Sequence, residues 1–332
     1  MLKKVIDRFK FWFNAARGYS TPIALMSWIV PFVFALSQGG SAMYGLLALV
    51  GIVCAHLGVN LFDDCIDYVL EEKAIEKGLK SDFEFQKGKC LYILNGGATL
   101  KQSFFVTFLY FLIALLIGIF FIINCGVVVF YIMLFTAFLC LLYPILTYVC
   151  LGEIIVGLLF APVLYTGVYY VMTKSFTPEI FIVSVSTGLL TIGLLHTHTF
   201  MDFDFDKKNN KKTLCALVKT KENSVLVQGI IMFLAYLNIL IFIISGYLPK
   251  VMIIAFLGIP TAVSLYRLLL LHINNPEVVV KRTFVMGPME NWKEIQKNNL
   301  ESFMIKFLLA RNVVVIFTFL LCLAIIISNY LD

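Results

Sequence analysis

Two groups of acidic side chains carry the chemistry this sequence offers. The first is Asn60-Leu-Phe-Asp63-Asp64-Cys-Ile-Asp67, and the second is Asp202-Phe-Asp204-Phe-Asp206-Lys207, followed by Lys211-Lys212-Thr213-Leu214. If the first stretch is helical, Asn60 and Asp64 are four apart, as are Asp63 and Asp67, while Asp64 and Asp67 are three apart. Positions three or four apart share a helix face, so one face carries an amide and two or three carboxylates. Asp202 and Asp206 share a face in the same way, whereas Asp204 points away from them and is secondary. Like charges held this close raise one another's pKa, and a divalent cation removes the conflict. Oxygen-only donors favour a hard cation, and Mg²⁺ typically takes one or two carboxylates together with phosphate oxygens. The lysines after the second group would meet the remaining phosphate charge. Carboxylates, Mg²⁺ and a lysine fringe make a diphosphate site. Asn60, Asp64 and Asp67 are the candidate ligands of one metal, with Asp202 and Asp206 those of another.

Two other readings compete. Acidic residues just outside a membrane can simply be solvated. Asp202-x-Asp204-x-Asp206 also matches the first ligands of a calcium loop, but the sixth position is Lys207 rather than Gly and the twelfth is Thr213 rather than Glu.

The elements that must position these groups are membrane helices. The chain of 332 residues is 61% hydrophobic and 14% charged, far from the roughly 45–50% apolar and about 25% charged of soluble domains. The expected fold is an all-α polytopic membrane bundle around a central cavity. A span needs roughly 20 apolar residues, and nine runs qualify, near 20–37, 43–62, 103–123, 125–147, 151–172, 178–199, 223–244, 247–271 and 308–329. The expected organisation is an interfacial amphipathic arm over residues 1–19, rich in Phe9, Phe11, Trp12 and Phe13, then a single transmembrane domain over 20–332. No cleavable signal peptide is evident.

Basic residues alternate between loops as an inside N-terminus requires. Lys3, Lys4, Arg8, Lys10 and Arg17 precede the first span; Lys73, Lys77, Lys80, Lys87, Lys89 and Lys101 follow the second; Lys207, Lys208, Lys211, Lys212, Lys219 and Lys221 follow the sixth; Lys281, Arg282, Lys293, Lys297 and Lys306 follow the eighth. Only Lys174 and Lys250 fall on the other side. Both acidic groups are therefore expected on the cytoplasmic face, with the chain in a membrane such as the bacterial inner membrane. The net charge of +6 reads as topology and attraction to lipid headgroups rather than nucleic-acid binding. The eight cysteines show no Cys-x-x-Cys spacing and read as small buried hydrophobes. The long stretch 272–307 lacks an acidic group and reads as a solvated connector.

At these residues the chain resembles the UbiA superfamily of intramembrane prenyltransferases, which carries Asn-x-x-x-Asp with a further Asp in one loop and Asp-x-x-x-Asp in a later one. Its 1,4-dihydroxy-2-naphthoate prenyltransferases, which act in menaquinone synthesis, are the most similar branch. Their first motif, Asn-Leu-x-Asn-Asp-Tyr-x-Asp, is matched by Asn60 to Asp67; their second, Asp-x-x-x-Asp with Lys or Arg and then Gly-Lys-Arg-Thr-Leu, is matched by Asp202, Asp206, Lys207 and Lys211 to Leu214. Weaker matches are Arg17 with Thr21-Pro22, Gly96-Gly97 with Thr99, and Tyr143-Pro144 through Leu151-Gly152-Glu153 to Tyr169-Tyr170. Where the branch has an Asn-Asn pair and an Arg before the second motif, this chain has His198, Thr199 and Met201, and Asn210 replaces the Gly.

The resemblance implies Mg²⁺-dependent transfer of a polyprenyl chain from its diphosphate to an aromatic acceptor, with loss of a ring carboxylate if that acceptor is 1,4-dihydroxy-2-naphthoate. Lys207, Lys211 and Lys212 would grip the diphosphate, with Asp63 beside the metal ligands. Arg17 would steady an acceptor carboxylate or anchor the arm; Tyr143 is a further substrate contact; Glu153 would position substrate or cap its helix. Other acceptors occur in the superfamily. A rival from a different class is a cation-dependent transporter, but its site belongs near mid-bilayer; a lipid-binding scaffold is a third. Tail length and oligomeric state are not legible.

Overall fold

The computed structural model describes residues 2–76, 90–146, 149–208 and 212–331, and every regular element among them is helical. The elements are α1 (Leu2–Ala15), a 3₁₀ turn (Gly18–Ser20), α2 (Thr21–Ser37), α3 (Ala42–Glu76), α4 (Leu91–Leu94), α5 (Leu100–Cys125), α6 (Val127–Leu146), α7 (Gly152–Leu158), a π turn (Leu159–Val163), α8 (Leu164–Thr173), α9 (Pro178–Met201), α10 (Phe203–Lys208), α11 (Leu214–Leu217), α12 (Lys221–Ile244), a 3₁₀ segment (Lys250–Gly258), α13 (Ile259–Asn274), a 3₁₀ turn (Phe284–Met286), α14 (Trp292–Lys297) and α15 (Glu301–Leu331). Seven helical stretches are long and apolar enough to cross a membrane, and two shorter apolar helices, in α2 and α6, stand where the first and fourth spans are expected. The all-α membrane architecture thus holds.

Local sequence explains where these helices start and stop. Thr99 opens α5 with a reciprocal cap, accepting from Gln102 N while its own N–H donates to the Gln102 side chain. Thr177 and Thr220 cap α9 and α12, and Pro178 takes the first turn of α9, where a missing N–H costs nothing. Gly126, at φ 97, ends α5 in a conformation that favours glycine. Pro162 cannot donate into the helical ladder, and the chain widens into the π turn around it.

By internal contacts the chain forms two compact units: Met1–Leu25 with Leu46–Met133, and Met26–Gly45 with Leu134–Asp332. In the first, the amphipathic arm is a helix whose Trp12, Phe13 and Ala15 pack on Ala16, Leu57 and Leu61, with Tyr92, Val106 and Tyr110 alongside. The arm is therefore attached to α3 through its apolar face, with Phe9 left exposed.

In the second unit α9 is the central helix. Its most apolar window is 72% buried, against 17% for that of α5, whose Phe105, Phe108 and Leu116 point outward. A face of α5 that is apolar and uncovered suits hydrocarbon. Side-chain hydrogen bonds tie α9 to α12: Ser186 Oγ donates to Ala235 O at 2.7 Å, and Asn238 Nδ2 donates to Ile182 O at 2.9 Å. Gly157 and Gly188 let α7 and α9 approach closely, since a Cβ on Gly157 would lie 2.9 Å from Gly188 O.

The stretch 272–307, read as a solvated connector, is exposed over most of its length but is anchored to its neighbours at several points. Its start is pinned at one end of α13 and α15, where the Pro276 carbonyl accepts from Ser302 Oγ (2.7 Å) and Lys306 Nζ (2.9 Å), with His272 Nδ1 at 3.1 Å. It then runs back along both helices. Thr261 Oγ1 donates to Val285 O at 2.6 Å, and Asn312 Nδ2 donates to Met286 O (2.8 Å) and Pro288 O (2.7 Å). Thr261 precedes His272 by three turns, so the segment travels roughly 16 Å along the helix axis. Thr261 and Asn312 supply partners for its carbonyls along the way.

Candidate active site

The first acidic group lies on α3, which runs unbroken through Asn60, Asp63, Asp64 and Asp67, so all four belong to one helical stretch as the spacing requires. Asp63 and Asp64 are 6% and 2% exposed, and Asp67 is half-buried. What meets them is the turn that links α1 to α2. Arg17 adopts a left-handed conformation (φ 55, ψ 45), uncommon for a residue with a side chain. Its guanidinium Nη2 lies 3.1 Å from Asp63 Oδ2 and also pairs with Asp64 Oδ1. Burial disfavours the Arg17 charge, but Asp64 and then Asp63 outweigh it and hold its pKa above the ordinary value. Burial, reinforced by Asp64, likewise pushes the Tyr92 phenol up.

Two residues outside the sequence motif hold that turn. Asn60 Nδ2 donates to Ala16 O at 2.9 Å and to Ser20 Oγ at 3.3 Å. Ser20 Oγ donates to Arg17 O at 2.7 Å and lies 2.8 Å from His56 Nε2. His56 sits one helical turn before Asn60 and Ser20 three residues after Arg17, so the four-residue spacing on α3 was the available signal.

In the second unit, Asp202 closes α9 and Asp206 follows in α10, with Asp206 N donating to Asp202 O at 2.8 Å across one helical turn. The Asp202 side chain is 43% exposed and lies 3.7 Å from His198 Nδ1, while Asp206 is 1% exposed. Asp204 turns outward to Lys221 Nζ at 2.6 Å. Lys207 is exposed, its ammonium 6.0 Å from the Phe203 ring centroid, and Lys212 is exposed as well. Lys211 lies outside the described residues.

Glu153 does its visible work on the backbone of this region. It is 6% exposed, in the first turn of α7, and its Oε1 accepts from Leu214 N at 3.2 Å and Thr199 Oγ1 at 3.4 Å. Cys150 N donates to Lys212 O at 3.0 Å. The Leu-Gly-Glu segment therefore braces the stretch that presents Lys212. His196 is fully buried, with Nε2 2.9 Å from Ser224 O and Nδ1 3.4 Å from the Cys215 thiol, a packing position. Burial pushes the Cys215 thiol up to about 11. Tyr143 is half-buried near the end of α6.

The donor chemistry fits a hard divalent cation. Both groups offer only oxygen, and with Nδ2 of Asn60 committed to Ala16 O, its Oδ1 is the atom left to ligate. Among the described residues no three carboxylate, thiol or imidazole groups converge tightly enough to hold a metal unaided. Asp63 and Asp64 are already paired with the Arg17 guanidinium, which any cation at Asp64 would have to share or displace.

Comparison with known proteins bears on the family and the fold. A protein-family model described as the UbiA prenyltransferase family matches residues 23–287. No curated protein sequence matches the chain. Among solved structures, one described as digeranylgeranylglyceryl phosphate synthase in membranes is similar with a TM-score of 0.59 at 15% identity, over 97% of this chain and 99% of that one. An apo structure of a UbiA homologue from Aeropyrum pernix K1 gives 0.57 at 11% identity, over 92% and 97%. These likenesses concern the fold. With helices made for a bilayer, oxygen donors on two of them, and a family match that spans most of its length, the chain belongs to the UbiA prenyltransferase family and is an integral membrane prenyltransferase.

Proposed function

We propose that this enzyme transfers a polyprenyl chain from its diphosphate to an aromatic acceptor, and that the acceptor is 1,4-dihydroxy-2-naphthoate, in menaquinone synthesis. The likeness of Asn60 to Asp67 and of Lys211 to Leu214 to that branch supports this acceptor. Asn60, Asp64 and Asp67 hold one Mg²⁺, and Asp202 and Asp206 hold another. Bound Mg²⁺ supplies Lewis acidity that stabilises the departing diphosphate. Lys207, Lys211 and Lys212 bind the phosphate oxygens, and Arg17, kept in place by Asp63, steadies the acceptor carboxylate; Tyr143 contacts substrate, and Glu153 holds the segment that carries Lys212. The C1–O bond of the prenyl diphosphate breaks, a bond forms from C1 to the acceptor ring, and the ring carboxylate leaves as CO₂ with its electron pair retained by the ring. The basic loops support placing both motifs at the cytoplasmic face of a bacterial inner membrane.

The observation that carries this reading is the Arg17 guanidinium on Asp63 and Asp64, a cation-binding pair of buried carboxylates on a membrane helix. The test is purified protein in micelles with radiolabelled prenyl diphosphates of several lengths and a panel of acceptors: dihydroxynaphthoate, hydroxybenzoate, homogentisate, heme and a glycerophosphate. Mg²⁺-dependent product with dihydroxynaphthoate, and labelled CO₂ from its carboxyl, is the expected result. Product with another acceptor alone would overturn the assignment.

A further inference from the structure

We infer that His56 and Ser20 are positioning residues of the metal site, acting through Asn60 and Arg17. The inference rests on the reading above that Asn60 is a Mg²⁺ ligand. Its warrant is a hydrogen-bond network around one hydroxyl. Ser20 Oγ donates to Arg17 O at 2.7 Å and accepts from Asn60 Nδ2 at 3.3 Å. His56 Nε2 lies 2.8 Å from the same hydroxyl and 3.5 Å from Asn60 Nδ2. The second amide hydrogen of Asn60 goes to Ala16 O at 2.9 Å.

Two consequences follow. Both amide hydrogens of Asn60 are committed toward the turn, which fixes which way the amide faces and leaves Oδ1 as the ligating atom. The same hydroxyl clamps the carbonyl of Arg17, a residue in a left-handed conformation that aims its guanidinium at Asp63 and Asp64. One small side chain thus sets the orientation of a neutral ligand and of the cation beside the carboxylates. Partners of this kind behind metal ligands typically alter metal affinity by about 10–100-fold when removed.

The test measures Mn²⁺ binding by electron paramagnetic resonance in the presence of a prenyl diphosphate, and separately the Mg²⁺ concentration for half-maximal turnover. Ser20→Ala and His56→Leu are expected to weaken Mn²⁺ binding about tenfold and raise the Mg²⁺ requirement to match. Ser20→Thr and His56→Gln keep a hydroxyl and an N–H donor and are expected to stay near wild type. Ser20→Ala removes a single oxygen, and its thermal unfolding serves as the control for folding. Ser20→Ala protein that unfolds like wild type and binds Mn²⁺ equally well would overturn the inference. Wild-type protein that shows no metal-dependent diphosphate binding would instead overturn the assignment of Asn60, so the two failures are distinct.

Discussion

The Arg17 guanidinium lies 3.1 Å from Asp63 Oδ2 and pairs in the same place with Asp64, so a turn ahead of the first span neutralises carboxylates 46 and 47 residues later. The side chains of Asp64 and Arg17 are 2% and 22% exposed. Removing one partner of a buried pair typically costs about 3–5 kcal/mol, and the partial exposure of Arg17 brings that to roughly 2–4. Arg17→Gln is expected to lower stability in micelles by that amount when Mg²⁺ is chelated. Added Mg²⁺ is expected to stabilise the variant more than wild type, because a cation that binds the folded state takes over part of the role of Arg17. Unfolding titrations with and without chelator decide this; equal Mg²⁺ stabilisation of both proteins would contradict it.

Glu153 Oε1 accepts from Leu214 N at 3.2 Å, which ties the start of α7 to the residues after Lys212. Leaving a buried donor without its acceptor costs about 1–3 kcal/mol. Glu153→Ala is expected to lose that much and to make the chain near Lys212 more sensitive to trypsin. Glu153→Gln keeps an acceptor oxygen and is expected to lose about half as much or less. Similar tryptic patterns for both variants and wild type would remove the brace from the account.

Gly157 has no room for a side chain, since a Cβ there would lie 2.4 Å from Ile192 Cγ1 and 2.9 Å from Gly188 O. Ile192 can turn, but the Gly188 carbonyl belongs to the backbone of the central helix. Overpacking of this kind costs about 1–3 kcal/mol. Gly157→Ala is expected to fall in that range, measured by unfolding in mixed micelles, whereas Gly39→Ala meets no neighbour and is strained only by its φ of +79.

Phe284 is fully exposed where the segment runs back along α13, next to Val285, whose carbonyl takes the Thr261 hydroxyl, and a lipid-facing position is the expectation. A fluorophore on Phe284→Cys is expected to be quenched by lipids carrying a nitroxide on the acyl chain. A membrane-impermeant maleimide is expected to reach Phe284→Cys far more slowly than Lys297→Cys, which lies on exposed α14. Equal labelling of both positions would place the segment in water.

Much of the fold could be read before the structure because bilayer crossing demands long apolar runs, and each expected span lies on a helix. The acidic motifs were legible because their spacing is helical on α3 and at the end of α9. What escaped was whatever depends on distant contacts. Nothing local in Glu153 announces that its oxygen faces Leu214 N, 61 residues on. Nothing in Pro276 or Asn312 announces that the stretch between α13 and α15 folds back along them, because polar composition alone is the same for a solvated loop and for a buried one with internal partners. Nothing in the sequence singles out His56, and only the approach of Ser20 gives it a task.

The proposed function rests on each acidic motif being needed for Mg²⁺-dependent binding of a prenyl diphosphate. Its most direct measurement is binding of a non-hydrolysable prenyl thiodiphosphate to purified protein by calorimetry, with and without Mg²⁺, in wild type, Asp64→Asn and Asp202→Asn. The account predicts Mg²⁺-dependent binding by wild type and its loss in each single variant, with Asp202→Asn as stable as wild type and Asp64→Asn measured at a temperature where it is still folded. Binding that ignores Mg²⁺, or that survives both substitutions, would contradict it.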